Sequence, residues 1–428
     1  MFNIFKRSFS NSGFVKTALL TGVATIVKII TGFFINKIIA VFGGPSGLAV
    51  IGNFQNFISM ITISSTGAID SGIVKYTAEY SDDISKKNKI ISAGLRIMLV
   101  CSLVLSIILL IFHSKISLAI IQTDKYANIF LLLGFTITFS ALNIFLLSVL
   151  NGHKEMKKYV SVNIISSFIG LILTLILTYY FSIIGALYSL ILNQSLAVLI
   201  SLTFVIKAKW ATRQLFFSQP NKESFIRLLK YSAMLITSAL TGPTALLIIR
   251  NHIGSSISWD AAGYWEGVSR ISSVYLMLIT SSISIYYLPR MSELKSNSEI
   301  KKELFSSYKI VMPVVVILGA GIFVFKNFII VVLFSDSFKP MKDLFAFQLI
   351  GDFLKIAAWL LSYLMVARAM TKIYITTEII FNASFVVLSL LFINKYGILG
   401  VTYAYALNYL FYGVTMIFIF RGIIYDKN

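Results

Sequence analysis

The sequence predicts an all-α integral membrane protein of twelve transmembrane helices. Three observations predict it. Hydrophobic residues make up 57% of the 428 positions and charged residues only 13%, the mean hydropathy is +0.86, and the apolar residues gather into runs of membrane-spanning length. A soluble domain carries roughly 25% charged residues, so a water-soluble fold is excluded. The net charge of +20 and the pI near 9.8 would suit a nucleic-acid partner. The basic residues, however, lie in short loops between apolar runs rather than on one soluble face, so membrane topology accounts for them and nucleic acid does not.

A crossing helix needs about 17–25 apolar residues, and runs of that order fall near 14–41, 47–69, 90–112, 127–150, 160–180, 183–206, 225–249, 261–288, 308–333, 343–366, 373–393 and 398–420. The first follows a basic start, Met1 to Asn11, and is too long for a signal-peptide core of about 7–15 residues, so it is read as a spanning helix. Along it Thr21, Thr25, Lys28, Gly32 and Asn36 recur at helical spacing, placing a lysine near mid-membrane. The second run opens after the turn Phe42 to Gly47 and carries Asn53, Asn56, Ser59 and Asp70. The seventh carries Thr237, Ser238, Thr241 and Thr244 beside Pro243, and at its outer end Arg250 and His252 are expected to snorkel to the interface.

The eighth begins Trp259-Asp260-Ala261-Ala262-Gly263-Tyr264-Trp265-Glu266-Gly267-Val268-Ser269-Arg270, and Gly263, Glu266, Arg270, Ser273, Met277, Ser281 and Ser284 form one polar stripe. The tenth contributes Gln348, Asp352, Lys355, Trp359 and Ser362. Hydroxyl stripes alone read as interhelical hydrogen bonds. An ionised group at the centre of a spanning helix costs about 2.5–3.5 kcal/mol even on the lenient insertion scale, and such residues usually mark a substrate or ion route. Lys28, which has no carboxylate within one turn, is therefore expected to face a cavity that holds something anionic. Asp70, Glu266, Asp352 and Lys355 are read as coupling groups or internal ion pairs.

The polar segment Lys207 to Ser224 divides six helices from six, so the expected organisation is an N-terminal lobe at 1–206, a cytoplasmic linker at 207–224 and a C-terminal lobe at 225–428. Internal similarity supports a duplication. Gly185-x-x-Tyr188-x-x-x-x-Asn193 matches Gly400-x-x-Tyr403-x-x-x-x-Asn408, and Glu79 matches Glu293, at an offset of half the chain. An even number of spans per half makes this a parallel repeat of the transporter type. The distribution of Lys and Arg puts both termini in the cytoplasm. No metal site or cofactor is expected. The single Cys101 sits in an apolar run, His113 and His153 sit in loops, and there is neither a phosphate-binding Gly-Lys-Ser/Thr loop nor a nucleophile elbow.

Taken together, Phe42 to Gln55, Lys75-Tyr76-Thr77-Ala78-Glu79-Tyr80, and Trp259 to Arg270 with Pro289-Arg290-Met291-Ser292-Glu293-Leu294 resemble the Wzx-type flippases. These are the O-antigen and enterobacterial common antigen translocases of the multidrug/oligosaccharidyl-lipid/polysaccharide exporter superfamily. The resemblance extends over essentially the whole chain. It implies two six-helix lobes forming a V around a central cavity, alternating access, and the flipping of an undecaprenyl-pyrophosphate-linked oligosaccharide from the cytoplasmic to the periplasmic leaflet of the bacterial inner membrane. It also implies membrane lipids, a polysaccharide polymerase and chain-length machinery as partners.

Under it Lys28 and Arg270 bind the pyrophosphate, while Asn53, Gln55, Asn56, Tyr264 and Trp265 contact sugars; Glu266 and Asp352 depart from a purely cationic cavity. Two other readings stay open. A cation-coupled drug antiporter of the same fold would use Asp70, Glu266 and Asp352 as a carboxylate site. A membrane-embedded polysaccharide polymerase would be expected to carry a large external loop, and the outer loops here are short.

Overall fold

The computed structural model describes residues 12–283 and 287–424, so the basic start Met1 to Asn11 and Ser284 of the polar stripe lie outside it. Every regular element among the described residues is helical, as a lipid environment requires of an open chain: with no water to satisfy N–H and C=O groups, each crossing segment must pair its own backbone. In chain order the helices are α1 Ser12–Ser65, α2 Asp70–Glu79, α3 Ile84–Ile121, α4 Ala127–Gly152, α5 Met156–Ile206, α6 Arg213–Phe217, α7 Lys222–Ser256, α8 Trp259–Ser282, α9 Leu288–Glu293, α10 Asn297–Val324, α11 Lys326–Leu333, α12 Phe345–Ala367, α13 Thr371–Tyr396, α14 Leu399–Ile419 and α15 Arg421–Ile424. A 3₁₀ segment, Asp336–Leu344, leads into α12. Seven helical stretches among the described residues are long and apolar enough to cross a bilayer, so the protein spans the membrane several times.

Two of them contain a single residue that leaves helical geometry. α1 breaks at Gly44 (φ 64°, ψ −169°), just before Pro45, and α5 breaks at Ser182 (φ 52°, ψ −134°). Both breaks fall where the sequence separates one apolar run from the next. Outside the apolar runs, side chains cap several helices. Asp83 accepts the Lys86 N–H at 3.0 Å and caps α3, and that backbone bond, reinforced by the Lys86 ammonium, holds its carboxyl below the usual range.

The chain divides into two compact units. Unit 1 comprises the chain up to Phe42 together with Phe57–Ile236; unit 2 comprises Gly43–Asn56 together with Thr237–Asn428. Each has its own apolar core. In unit 1 Ile69, Ile91, Phe145, Val149, Val198 and Leu228 pack together; in unit 2 the core gathers Tyr275, Ile279, Met291, Leu361, Met365 and Met416. Because lipid tails are as apolar as these side chains, close van der Waals packing rather than burial from water holds such helices together.

The backbone repeats itself from one half of the sequence to the other. Ser182 (φ 52°, ψ −134°) and Gly397 (φ 61°, ψ −149°) share an uncommon conformation, as do the positive-φ residues Lys154 and Ala369, and each pair is separated by the 215 residues of the sequence offset. The matching Gly185 and Gly400 have one physical reason. A Cβ at Gly185 would collide with the Leu177 carbonyl oxygen, and one at Gly400 with the Phe392 carbonyl oxygen, each eight positions back along the chain. The Gly-x-x-Tyr motif thus marks a helix-to-helix turn too tight for any side chain at its first position.

Candidate functional site

Unit 2 builds a charged cluster on the opening turns of α8. Ser258 caps the helix, its Oγ accepting the Ala261 N–H at 3.0 Å. Asp260 in the first turn complements the positive end of the helix dipole, and its Oδ1 accepts the Ser46 N–H at 3.0 Å, tying α8 to the segment after the Gly44 break. The approach is close because two glycines allow it. A Cβ on Gly263 would strike Pro45, and one on Gly52 would lie 2.6 Å from the carboxyl carbon of Glu266.

Glu266 is the centre of the cluster. One carboxylate oxygen pairs with the Arg250 guanidinium of α7, and the other accepts from Nε of Arg270 at 2.6 Å. Amides complete the shell. Arg250 Nη1 donates to Asn53 Oδ1 at 2.7 Å, Asn53 Nδ2 donates to Asn251 Oδ1 at 2.6 Å, and Arg270 Nη2 donates to Gln55 Oε1 at 2.5 Å. The Arg250 guanidinium also lies 5.6 Å from the centre of the Trp265 ring. Arg250 and Glu266 are 2% and 7% exposed, while the Arg270 side chain keeps 14% of its surface open. Two guanidiniums share one carboxylate, so the cluster carries a net positive charge, and Arg270 is the member with surface to offer an anion.

A second polar group lies deeper in unit 2. Asp352, fully buried, accepts from the Tyr275 hydroxyl at 2.7 Å, the Tyr405 hydroxyl at 2.9 Å and, weakly, Gln348 Nε2 at 3.5 Å. Lys355 forms no ion pair with it. Its ammonium instead lies over the rings of Trp359, Tyr409 and Tyr405, at 4.7, 5.3 and 5.8 Å from their centres.

The expected site residues therefore divide. Arg270, Gln55, Glu266, Asn53 and Trp265 come together in one cluster, but Asn53 and Trp265 are buried within it, holding Arg250 in place. Tyr264 is half-buried with its ring edge-on to Phe338, and Asn56, also half-buried, has an amide nitrogen with no hydrogen-bond partner. Asp70 stands apart in unit 1, where its Oδ2 accepts from the Thr66 hydroxyl at 3.0 Å. Lys28, also in unit 1, is exposed, and its side chain makes no ion pair or hydrogen bond among the described residues.

Of the helix 7 hydroxyls, Ser238 bonds the Tyr374 hydroxyl at 2.8 Å, the interhelical role expected of it. Arg250 corrects the sequence reading. Its place at a helix end suggested snorkelling, but Glu266, 16 residues on in the next helix, draws it inward. Glu378 was missed outright, and Asn408 was read only as a marker of the repeat. Glu378 could have been found by the cost argument that singled out Glu266, since it stands within the apolar run 373–393.

The architecture places the protein in a known class. A multidrug resistance MATE family transporter of the MOP superfamily, solved in an inward-facing conformation, superposes with a TM-score of 0.78 at 16% identity, covering 94% of this chain and 98% of that one. A MOP superfamily transporter from Pyrococcus furiosus, described as having a binding pocket of reverse polarity, superposes at 0.67 and 16% identity over 97% and 96% of the two chains. These likenesses define the fold: that of the MOP-superfamily membrane transporters.

Residues 14–295 match the polysaccharide biosynthesis protein family, and the chain belongs to that family. The Lipid III flippases of Escherichia coli (strain K12) and Shigella flexneri are each 30% identical to it over 404 residues, which cover 93% of this chain and 95% of theirs. The resemblance to Wzx-type flippases drawn from the sequence is borne out.

Proposed function

We propose that the protein carries an undecaprenyl-pyrophosphate-linked oligosaccharide, an O-antigen repeat unit or a related one, from the cytoplasmic to the periplasmic leaflet of the bacterial inner membrane by alternating access. It is a flippase of lipid-linked oligosaccharide and a transporter, not an enzyme: its family and its flippase relatives agree on this. The observation that carries the finer reading is the net-positive Arg250–Glu266–Arg270 cluster, held by amides inside the apolar helices of unit 2.

A polyprenyl tail can stay in lipid throughout, while the pyrophosphate needs charge-assisted donors along its way, and such bonds are stronger in a low-dielectric setting than at a surface. Arg270 in unit 2 and Lys28 in unit 1 are each assigned to anion binding. Gln55, Asn56 and Tyr264 are the sugar-facing candidates left with surface to offer. Twelve crossings in two six-helix lobes, joined by a cytoplasmic linker at 207–224, with both termini in the cytoplasm, fit the breaks at Gly44 and Ser182 and the repeated backbone at Ser182 and Gly397. A polymerase and chain-length machinery would take up the product on the far side.

Purified protein in lipid vesicles tests this. Wild type should move a fluorescent undecaprenyl-pyrophosphate oligosaccharide across the bilayer. Arg270→Ala and Lys28→Ala should each abolish transfer while inserting normally, and Lys28→Arg should retain part of it. Arg270→Ala leaves Arg250 and Glu266 as a balanced pair, so the fold should survive. Normal transfer by both alanine variants would reduce the cluster to a structural ion pair.

A further inference from the structure

Between α7, α12, α13 and α14, all within unit 2, lies a cavity of about 240 Å³ that no part of the charged cluster lines. Three features of its wall bear on what it holds. Trp359 and Tyr409 present aromatic rings, with the Lys355 ammonium held over both. Glu378 brings a carboxylate whose one side-chain partner is the Asn382 amide, at 3.4 Å, and it forms no ion pair with Lys355 or any other described residue. Asn408, 4% exposed, has its Oδ1 buried with no hydrogen-bond partner.

A buried acceptor left without a partner is destabilising. In a cavity already furnished with a cation, a carboxylate and two π faces, it calls for a donor supplied by a ligand. The chemistry narrows that ligand. A metal or organic cation is disfavoured because it would sit beside the Lys355 ammonium, and the wall charges of Lys355 and Glu378 cancel. A hydroxyl-rich ring suits every group at once. Its hydroxyls donate to Glu378 and Asn408 Oδ1 and accept from Lys355, and its C–H face packs on the electron-rich face of Trp359 or Tyr409.

We propose that this cavity is a subsite for one uncharged pyranose ring, a hexose or N-acetylhexosamine, of the transported glycan. The proposal rests on the flippase reading and names the part of the cargo that unit 2 recognises.

Saturation-transfer NMR on the full-length protein in nanodiscs tests it, with N-acetylglucosamine and glucose as probes and glycerol as control. The sugars should give saturable signals that disappear in Trp359→Leu and in Tyr409→Leu and persist in Trp259→Phe, while glycerol gives none. Either leucine variant suffices if it melts within a few degrees of wild type. Equal sugar signals in wild type and the folded leucine variant, or no sugar signal in wild type, would overturn the subsite; so would a wild-type response to sodium with none to sugar. Vesicle transfer is measured on the same preparations. Wild-type transfer without sugar binding sinks the subsite alone, whereas a wild type that transfers no lipid-linked oligosaccharide sinks the flippase reading itself.

Discussion

Unit 1 and unit 2 share the backbone of their matching turns and differ in what they bury. Among the described residues, the charged side chains that are fully buried are Arg250, Glu266 and Asp352, and all three belong to unit 2. Unit 1 fills its interior with hydroxyls and apolar groups; Thr174 and Ser189, for example, bond one another at 3.0 Å where α5 folds back past Ser182. Along the second arm of α5, Leu190, Gln194 and Ala197 stand at the repeat positions of Tyr405, Tyr409 and Tyr412 in α14, so the aromatic wall of the cavity has no counterpart. Backbone geometry and chemistry therefore separate cleanly. The turns are held by sterics that admit few residues and stay alike, while helix faces are free to diverge and one half has taken on the charges.

The sharpest way to break the contrast is Glu266→Gln. It leaves the buried Arg250 guanidinium facing that of half-buried Arg270 without a carboxylate, and removing one partner of a buried ion pair costs about 3–5 kcal/mol. Hydrogen-exchange mass spectrometry in nanodiscs should show lost protection in α7 and α8 with α3 and α4 unchanged. Uniform loss across both units would mean that the charges stabilise the whole protein and not one half.

Gly185→Ala and Gly400→Ala test the shared turn backbone. Each forces a Cβ into a carbonyl oxygen, and overpacking of this kind costs about 1–3 kcal/mol. Both should lower the melting temperature, and by similar amounts. If one is tolerated, the two turns are not equivalent.

The smallest effect sharpens the comparison by its sign. Ser182 adopts a positive φ that Gly397 adopts without a Cβ, and such backbone costs a non-glycine residue on the order of 1 kcal/mol. Ser182→Gly should therefore raise the melting temperature slightly, even though it removes the hydrogen bond from Ser182 Oγ to the Phe42 carbonyl at 3.1 Å, and Gly397→Ser should lower it. The same direction for both would show that the hydrogen bond outweighs the backbone.

Much of the fold was legible in the sequence, because lipid leaves a chain few options. The apolar runs became helices, and Gly43-Gly44-Pro45 announced a break that the structure places at Gly44. The duplication was visible in Gly185 and Gly400, whose spacing is fixed by a collision rather than by function. The site was less legible. Helical spacing tells which residues share a face and not what stands opposite that face. Asn53 and Trp265 read as sugar-facing until Arg250 is seen between them. Arg250 itself read as an interfacial cation, since its partner lies on another helix. Glu378 sits singly in an apolar run, where no periodic pattern draws attention to it, Asn408 stood out only as a marker of the repeat, and only packing brings them to one cavity.

The bonds at the entrance to α8 join unusual partners. Ser46 and Asp260 are 214 positions apart and Gln55 and Arg270 are 215 apart, so each residue bonds, to within one position, its own duplicate. The Ser46 donor is a backbone N–H that any residue but proline could supply, whereas the Gln55–Arg270 bond needs an amide at one position and a guanidinium at the other. At that bond the two halves of the sequence are complementary rather than alike: the acceptor stands on one and the charge on the other.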